Sequence, residues 1–157
     1  MTAVELTSMT EEEFSSYFDE KVERYTEVLS HHVHEEGEEP VVKAAKQLKA
    51  LLPEGVNTPN HYLFNVNHGS KRIGFVWLKV ELNKKSAFLY EIYLFDEYRG
   101  KGFGSQVMND IEKWLIKKGV NYFKLHVFGS NTGARKLYEE LGFDLMGINM
   151  MKPIGPS

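Results

Sequence analysis

A glycine-rich turn in the second half of the chain is the clearest candidate for a binding site. The letters Arg-Gly-Lys-Gly-Phe-Gly occupy residues 99–104, between a strand-like segment and a helix-like one. Small residues let the backbone approach a ligand, and the free N–H groups of a helix start point at negative oxygen atoms. Phe95 stands where a Walker loop needs its first glycine, and Val107 where G-x-G-x-x-G needs its last. The remaining pattern, Arg-x-x-Gly-x-Gly, indicates another kind of anion-binding turn.

Glu91 is the candidate for proton chemistry or for binding a cation. It is the one carboxylate in residues 87–95, which are otherwise apolar or aromatic. A carboxylate is seldom placed in such a segment unless it is paired or functional. The chain has no cysteine, which excludes disulfides, thiolate metal sites and a cysteine nucleophile.

The first 60 residues predict a short strand and two helices. We expect the strand at residues 4–6. Thr10 to Glu13 has the Thr-x-x-Glu form of a capping box, and apolar side chains then recur at helical spacing. Pro40 stands where prolines start helices and opens a second apolar stripe that ends before Pro53.

From residue 61 the apolar period changes to that of strands. Residues 61–67, 72–82 and 86–95 predict three antiparallel strands, the third of them inside a sheet that is covered on both faces. We expect a helix from the glycine turn to Gly119, a strand at 120–128, a helix from Asn131 to Gly142 and a last strand at 143–151. This order requires at least one parallel strand pair with a crossover helix.

Length and composition indicate one globular domain over residues 1–157. Apolar residues make up 42% and charged residues 26% of the chain, which excludes wholesale disorder. The first 60 residues hold 13 acidic and 5 basic side chains, although the net charge of the whole chain is only -3. An acidic first part and a basic second part suggest that the two ends of one site face ligands of opposite sign, and a solvated charged surface is the alternative. The basic residues are scattered, so we expect no nucleic-acid partner.

Targeting and metal-binding patterns are missing from the sequence. No apolar run approaches the length of a membrane span, and Met1 to Thr10 lacks the basic and apolar stretches of a signal peptide. We therefore expect a cytoplasmic protein with no membrane association. The three histidines at 31–34 and the four glutamates at 35–39 fit no zinc or calcium spacing, so we expect no metal site.

Two segments together resemble the GNAT superfamily of acetyl-CoA-dependent N-acetyltransferases. Residues 92–105, IYLFDEYRGKGFGS, are similar to that family's motif A, Gln/Arg-x-x-Gly-x-Gly/Ala at a helix start after a central strand. Residues 125–143, LHVFGSNTGARKLYEELGF, are similar to motif B, in which an Asn, an Ala and a Tyr precede a Gly-Phe pair. Both occur in the family's order, and residues 1–60 match by helix pattern only.

The resemblance implies a role for each matching residue. Motif A would bind the diphosphate of CoA, mostly through backbone N–H groups, at Arg99, Gly100, Lys101, Gly102, Phe103, Gly104 and Ser105. Tyr93 and Leu94 would pair with the pantetheine arm as a further strand does. Asn131 would touch the arm, or act as a helix N-cap, or both. Tyr138 occupies the position of the general acid, with core packing as the alternative.

The implied reaction needs a neutral amine. An alkylamine with a pKa near 10.4 is neutral in about 1 molecule in 2,500 at pH 7, a cost of roughly 4.6 kcal/mol. Glu91 is one candidate for the base or the amine anchor. His126 is the other, because it falls where motif B of some relatives has a basic carboxylate; its alternative is a histidine bonded to backbone.

The resemblance also implies the architecture. It predicts a mixed α/β (α+β) fold with a largely antiparallel central sheet of 6–7 strands, about four helices on both faces and a splayed parallel strand pair. Residues 1–60 would form the acceptor side and 61–157 the sheet and CoA-binding motifs. The chain after Gly142 is short, so the closing hairpin is expected as a single strand or as a strand completed by a partner chain in a homodimer.

Three functions stay open at this stage. The first is acetyl transfer from acetyl-CoA to a cationic small-molecule amine, with no metal. The second is transfer to a protein or peptide amine, and the third is a non-catalytic acyl-CoA-binding module. Acceptor pockets are built from variable loops, so the sequence does not identify the acceptor.

Overall fold

The computed structural model describes residues 3–32 and 39–155, and the chain divides into two compact units, residues 1–126 and 127–157. One five-stranded sheet forms the centre of the first unit. Its strands are β1 (Val4–Ser8), β2 (His61–His68), β3 (Lys71–Glu81), β4 (Ser86–Leu94) and β5 (Tyr122–Leu125), which lie side by side in chain order. The first four pair antiparallel, and β4 pairs parallel with β5. This confirms the mixed α/β fold, with five strands in place of the expected 6–7.

The described residues of the first unit form three α-helices, α1 (Glu11–His32), α2 (Pro40–Leu51) and α3 (Phe103–Lys117). The predicted capping box is present at the start of α1. The Thr10 N–H donates to Glu13 Oε1 at 3.0 Å, and the Glu13 N–H donates to Thr10 Oγ1 at 3.1 Å. Pro40 is the first residue of α2, as predicted, and Gly119 follows α3 with a φ of 85°.

The helices cover both faces of the sheet. On one face, α1 and α2 enclose a buried cluster with the strands, made of Met9, Tyr17, Leu48, Leu52, Leu63, Phe75 and Trp77. On the other face, the Trp114 ring of α3 meets Tyr62 and Phe64 edge-on, at 4.9 and 5.5 Å between ring centroids. Buried apolar area is the main favourable term in folding, so these two layers hold the helices on the sheet.

A β-bulge interrupts β4 at Tyr90. Trp77 of β3 lies opposite Glu91, but its neighbour Leu78 lies opposite Leu89, so Tyr90 is an extra residue. The Tyr90 ring stacks on Trp77, with 4.4 Å between ring centroids. On the other side, the pairing of β4 with β5 ends at Leu89, opposite Leu125. The splayed parallel pair is therefore present, and it opens at the bulge.

The second unit contains one helix, α4 (Thr132–Glu140). Asn131 is its N-cap, since its side chain accepts the Ala134 N–H at 3.2 Å. The predicted apolar face is half-buried, and Gly142 follows the helix with a φ of 97°.

Two predicted strands differ from the structure. The strand expected at 120–128 is only the four residues of β5. The strand expected at 143–151 is wrong: residues 143–155, all described, contain no strand. A strand needs a neighbouring strand for its backbone groups, and among the described residues no strand pairs with this segment, so its apolar spacing does not produce a strand. Its large apolar side chains are exposed at Leu145 (55%), Met146 (86%), Ile148 (71%), Met150 (92%), Met151 (69%) and Ile154 (87%).

Gly74 permits the close approach of β3 and β4. A Cβ at this position would lie 2.0 Å from the Tyr93 carbonyl oxygen and 3.0 Å from Leu94 Cα, both backbone atoms. We predict that Gly74→Ala lowers the free energy of unfolding by about 3 kcal/mol, because the backbone must move. Urea denaturation of the purified variant measures this change.

The control is Gly133→Ala in α4. Its Cβ would meet nothing within 4 Å and its φ is not positive, so we expect no loss of stability. Equal stability of the Gly74→Ala variant and the wild type would contradict the steric argument.

Candidate functional site

The glycine turn forms an uncapped helix start. Gly100 and Gly102 have φ values of 73° and 86°, and a Cβ at either position would meet nothing within 4 Å. Gly102 is the N-cap residue of α3, and it provides no side-chain hydrogen bond to the first turn of that helix. Helices leave their first N–H groups without an internal partner. The turn thus offers donors, the positive end of a helix dipole and open space to an anion, which fits a diphosphate.

Two of the predicted diphosphate contacts have additional structural roles. The Phe103 side chain is 6% exposed and packs on His68, with 4.8 Å between ring centroids, so only its backbone faces the turn. Arg99 donates from Nε to the Leu94 carbonyl at 2.8 Å and pairs with Asp96 at 2.8 Å. Arg99 therefore ties the end of β4 to the turn.

The far end of β4 has a free edge. Beyond Leu89, residues 90–94 have no pairing with β5, which ends at Leu125. Tyr93 and Leu94, the predicted pantetheine contacts, lie on this half-buried stretch. An extended ligand with amide groups can pair with such an edge as another strand does. The edge leads directly, through Arg99, into the glycine turn.

Glu91 lies on the α1 face of β4, and three α1 side chains hold its carboxylate. We call Tyr17, Lys21, Arg24 and Glu91 the Glu91 cluster. The Tyr17 hydroxyl donates to Oε1 at 2.8 Å and Lys21 Nζ to Oε2 at 3.1 Å. Arg24 donates to both oxygens, from Nη2 at 2.8 Å and from Nε at 3.3 Å. These four hydrogen bonds use the four acceptor positions of the carboxylate.

The cluster fixes the charge of its members. Burial alone would raise the pKa of Glu91, but the charges of Lys21 and Arg24 and the hydrogen bonds of Arg24 and Tyr17 hold it below its ordinary value of 4.5. Burial and the charge of Glu91 raise the pKa of Tyr17 well above 10. Tyr17 thus stays a donor, and Glu91 stays a carboxylate that is a weak base.

The remaining predicted site residues, His126, Asn131 and Tyr138, lie after β4 in the chain. His126 is exposed and follows β5 by one residue. Asn131 and Tyr138 belong to the second unit. There the Tyr138 ring meets Phe143 edge-on at 5.8 Å, and burial raises the pKa of Tyr138 above its ordinary value. The structure therefore groups the motif A residues with Glu91 along β4.

Sequence reasoning missed the α1 members of the cluster and Gly74. The available signal was the spacing of Tyr17, Lys21 and Arg24, which are four and three residues apart and so share a stripe of the helix. Nothing local connects that stripe with Glu91. For Gly74, an isolated glycine within a strand pattern signals close backbone approach.

The described residues contain neither a metal-binding group nor a membrane-spanning helix. Among the described residues, no group of three or more His, Cys, Asp or Glu side chains is arranged to hold a metal ion. The histidines at 31–34 lie outside the side chains that are described. Within residues 3–32 and 39–155, no helix is long and apolar enough to cross a membrane.

Comparison with known proteins gives consistent matches. The profile of the acetyltransferase (GNAT) family matches residues 6–143. N-acetyltransferase YycN of Bacillus subtilis (strain 168), itself uncharacterized, is 33% identical over 152 residues, which cover 95% of this chain and 97% of YycN. Its crystal structure has a TM-score of 0.92 at 30% identity and covers 98% of this chain and 100% of the other. Thialysine N-epsilon-acetyltransferase of Sus scrofa is 36% identical over 58 residues, 37% of this chain and 34% of that enzyme.

The Glu91 cluster predicts an acid-sensitive contribution to stability. We expect Glu91→Gln to cost about 3 kcal/mol near pH 7, because it leaves two half-buried cations without their counter-charge. The folded pKa of Glu91 lies below its unfolded value, so the contribution is present above the unfolded pKa and is lost as the pH falls through the folded pKa. The difference between wild type and variant should therefore shrink below about pH 4.5, as urea denaturation from pH 7 to 3 would record.

Glu81→Gln is the matched control. Glu81 also meets two lysines, Lys79 and Lys84, each at 3.2 Å, but on the surface. Its replacement should change stability much less. A Glu91→Gln difference that stays constant down to pH 3 would contradict the assigned charge state.

Proposed function

The chain belongs to the GNAT acetyltransferase family and is an acetyl-CoA-dependent N-acetyltransferase. We propose that it acetylates a primary amine of a cationic small molecule, and that the amine attacks the thioester directly. In this proposal, residues 99–105 bind the diphosphate of acetyl-CoA and residues 93–94 pair with its pantetheine arm. The reacting carbonyl then lies at the opening between β4 and β5.

One observation carries this proposal: the free edge of β4 is followed, after a short turn, by a glycine-rich start of α3 that has no side-chain cap. The edge supplies backbone groups for an extended arm with amides, and the turn supplies N–H groups for an anion at its end. Acetyl-CoA has both parts in this order. The open space at Gly100 and Gly102 supports close approach of the diphosphate to the backbone.

The proposed transfer is a single displacement. The ammonium of the acceptor first loses a proton, and the amine nitrogen attacks the thioester carbonyl. A C–N bond forms and the C–S bond breaks. The nitrogen gives up a second proton, and the departing thiolate takes one, so the products are an amide, free CoA and one proton in solution. A backbone N–H near Leu94 is proposed to stabilise the developing oxyanion.

The two proton transfers are proposed to use His126 and Tyr138. All four acceptor positions of Glu91 are used within its cluster, which favours a positioning role for Glu91 over its expected role as base or amine anchor. His126 is then the proposed base. Tyr138 is the proposed acid for the thiolate. Its raised pKa keeps it protonated, and makes the transfer to a thiol-like group near 8.5 more uphill than the reference values suggest.

Asn131 and the acceptor complete the proposal. The Oδ1 of Asn131 serves as the cap of α4, so its amide N–H groups are what it would offer to the CoA arm. The partial similarity to thialysine N-epsilon-acetyltransferase supports a small amine as acceptor. A homodimer remains part of the proposal.

A thiol-release assay distinguishes the candidate functions. The protein is incubated with acetyl-CoA and a panel of small amines and peptides, and free CoA is measured. Turnover of small amines is the expected result. Turnover of peptides alone would indicate a protein or peptide acetyltransferase, and binding of acetyl-CoA without any turnover would indicate a non-catalytic binding module.

Gly102→Ala should weaken acetyl-CoA binding about tenfold, equivalent to roughly 1.4 kcal/mol. The added methyl group occupies the space into which the diphosphate would fit, and the positive φ of residue 102 strains any other side chain. Isothermal calorimetry with acetyl-CoA measures the affinity.

Gly69→Ala is the control for backbone strain. Gly69 has a φ of 63° and open space around it, but it lies in the hairpin between β2 and β3. We expect both variants to lose similar stability and only Gly102→Ala to lose affinity. Equal affinities of the two variants would contradict the assignment of the turn to the diphosphate.

Tyr138→Phe should lower kcat by about 100-fold or more, because the thiolate loses its proton donor. The Kd for acetyl-CoA should stay the same, since the ring and its packing are retained. Steady-state kinetics with calorimetry on the same preparation test both parts. An unchanged kcat would refute the role of Tyr138 as acid.

A further inference from the structure

The Glu91 cluster has a net positive charge, because two cations share one carboxylate. Lys21 and Arg24 meet the single carboxylate of Glu91, and their side chains are 16% and 24% exposed. The other half-buried charge on α1 is Glu13, which binds Thr10, Asn65 and Arg72 instead. The remaining acidic residues between 15 and 30 lie on the exposed side of the helix: Asp19, Glu20, Glu23 and Glu27. Among the described side chains of α1, the cluster therefore has no acidic neighbour that would balance its second cation.

Arg24 has hydrogen-bond donors that Glu91 does not use. A guanidinium has five N–H groups, and Glu91 uses one on Nε and one on Nη2. Three remain, and no acceptor for them is present among the side chains described in residues 3–30 and 39–155. Lys21 likewise uses only one of its three N–H groups on Glu91. Partial exposure makes these donors accessible from solvent.

The position of Arg24 is fixed and lies against the candidate site. Its guanidinium carbon is 4.1 Å from the centroid of the Tyr93 ring, and its two bonds to Glu91 hold it there. Tyr93 belongs to the free edge of β4 that the proposed function assigns to the pantetheine arm. A guanidinium held in this way is preorganised to bind a carboxylate or a phosphate with two parallel hydrogen bonds.

We infer that the acceptor carries, besides its amine, an anionic oxygen group that Arg24 binds with the help of Lys21. This inference rests on the coenzyme site and acetyl transfer of the proposed function, and it replaces the cationic acceptor with a zwitterionic amine of the amino-acid or amino-phosphate kind. A purely cationic acceptor, such as a polyamine, would meet the surplus positive charge without any compensating contact. Glu91 then serves as the positioning residue that orients Arg24.

The test compares amines that differ only in the anionic group. The pairs are lysine and lysinamide, β-alanine and β-alaninamide, and phosphoethanolamine and ethanolamine. In every pair that reacts, we expect the anionic member to have the higher kcat/KM, by about 10- to 100-fold, because a hydrogen-bonded ion pair is lost in the other. The pair with the larger ratio of kcat/KM values shows whether the site binds a carboxylate or a phosphate.

Arg24→Gln should remove this preference, so that the two members of each pair react with similar kcat/KM. Arg72→Gln is the matched control, an arginine that reaches the same face of the sheet but pairs with Glu13 at the surface. It should keep the full preference. Thermal unfolding and the KM for acetyl-CoA are measured for both variants, so that misfolding of Arg24→Gln is recognised. If Arg24→Gln misfolds, Arg24→Lys is used in its place and should retain only part of the preference.

The outcomes separate the two proposals. Equal or higher kcat/KM for the neutral members, or turnover of none of the six amines by a protein that binds acetyl-CoA, overturns the anionic-group inference and leaves the coenzyme site. A preference that survives both Arg24 variants overturns it as well. Failure to bind acetyl-CoA would remove the proposed function, and the inference with it.

Discussion

The separation of β4 from β5 after Leu89 is the constraint on which the rest of this structure depends. Buried backbone N–H and C=O groups need partners, and a strand inside a sheet normally finds them on both sides. Here β4 has β3 on one side throughout and β5 on the other for only four residues. The bulge at Tyr90 bends the strand at the same point. The fold thus keeps a row of backbone groups open within a sheet that helices cover on both faces, which favours an extended ligand with amides of its own.

Two arginines secure this open segment from its two ends. Arg99 ties the Leu94 carbonyl to the glycine turn, and Arg24 connects Glu91, just past the bulge, with α1. Both guanidinium groups also lie on the Tyr93 ring, at 5.0 and 4.1 Å from its centroid. Because these contacts cross between elements, a strand with a free edge can stay in place without a neighbouring strand. The same contacts leave positive charge near the edge, where substrates of opposite sign are attracted.

The parts of this fold that depend on neighbouring residues could be predicted from the sequence. The capping box at Thr10, the proline start of α2 and the glycine turn before α3 each involve residues a few positions apart, and each is present. The Glu91 cluster joins residues about 70 positions apart, and no local pattern connects Lys21 with Glu91. The bulge at Tyr90 results from pairing with β3, which is equally non-local. The strand expected at 143–151 was wrong for a related reason: apolar spacing describes a strand's faces and says nothing of whether a partner edge is available.

The bare apolar segment after Gly142 has a chemical consequence. Met146, Met150 and Met151 present their thioethers to solvent, whereas Met9 and Met108 are 5% and 3% exposed within the first unit. Peroxide converts accessible methionine into the more polar sulfoxide and reaches buried sulfur slowly. Among the methionines that the structure describes, oxidative stress would therefore modify the three after Gly142 first and leave the two in the core chemically intact.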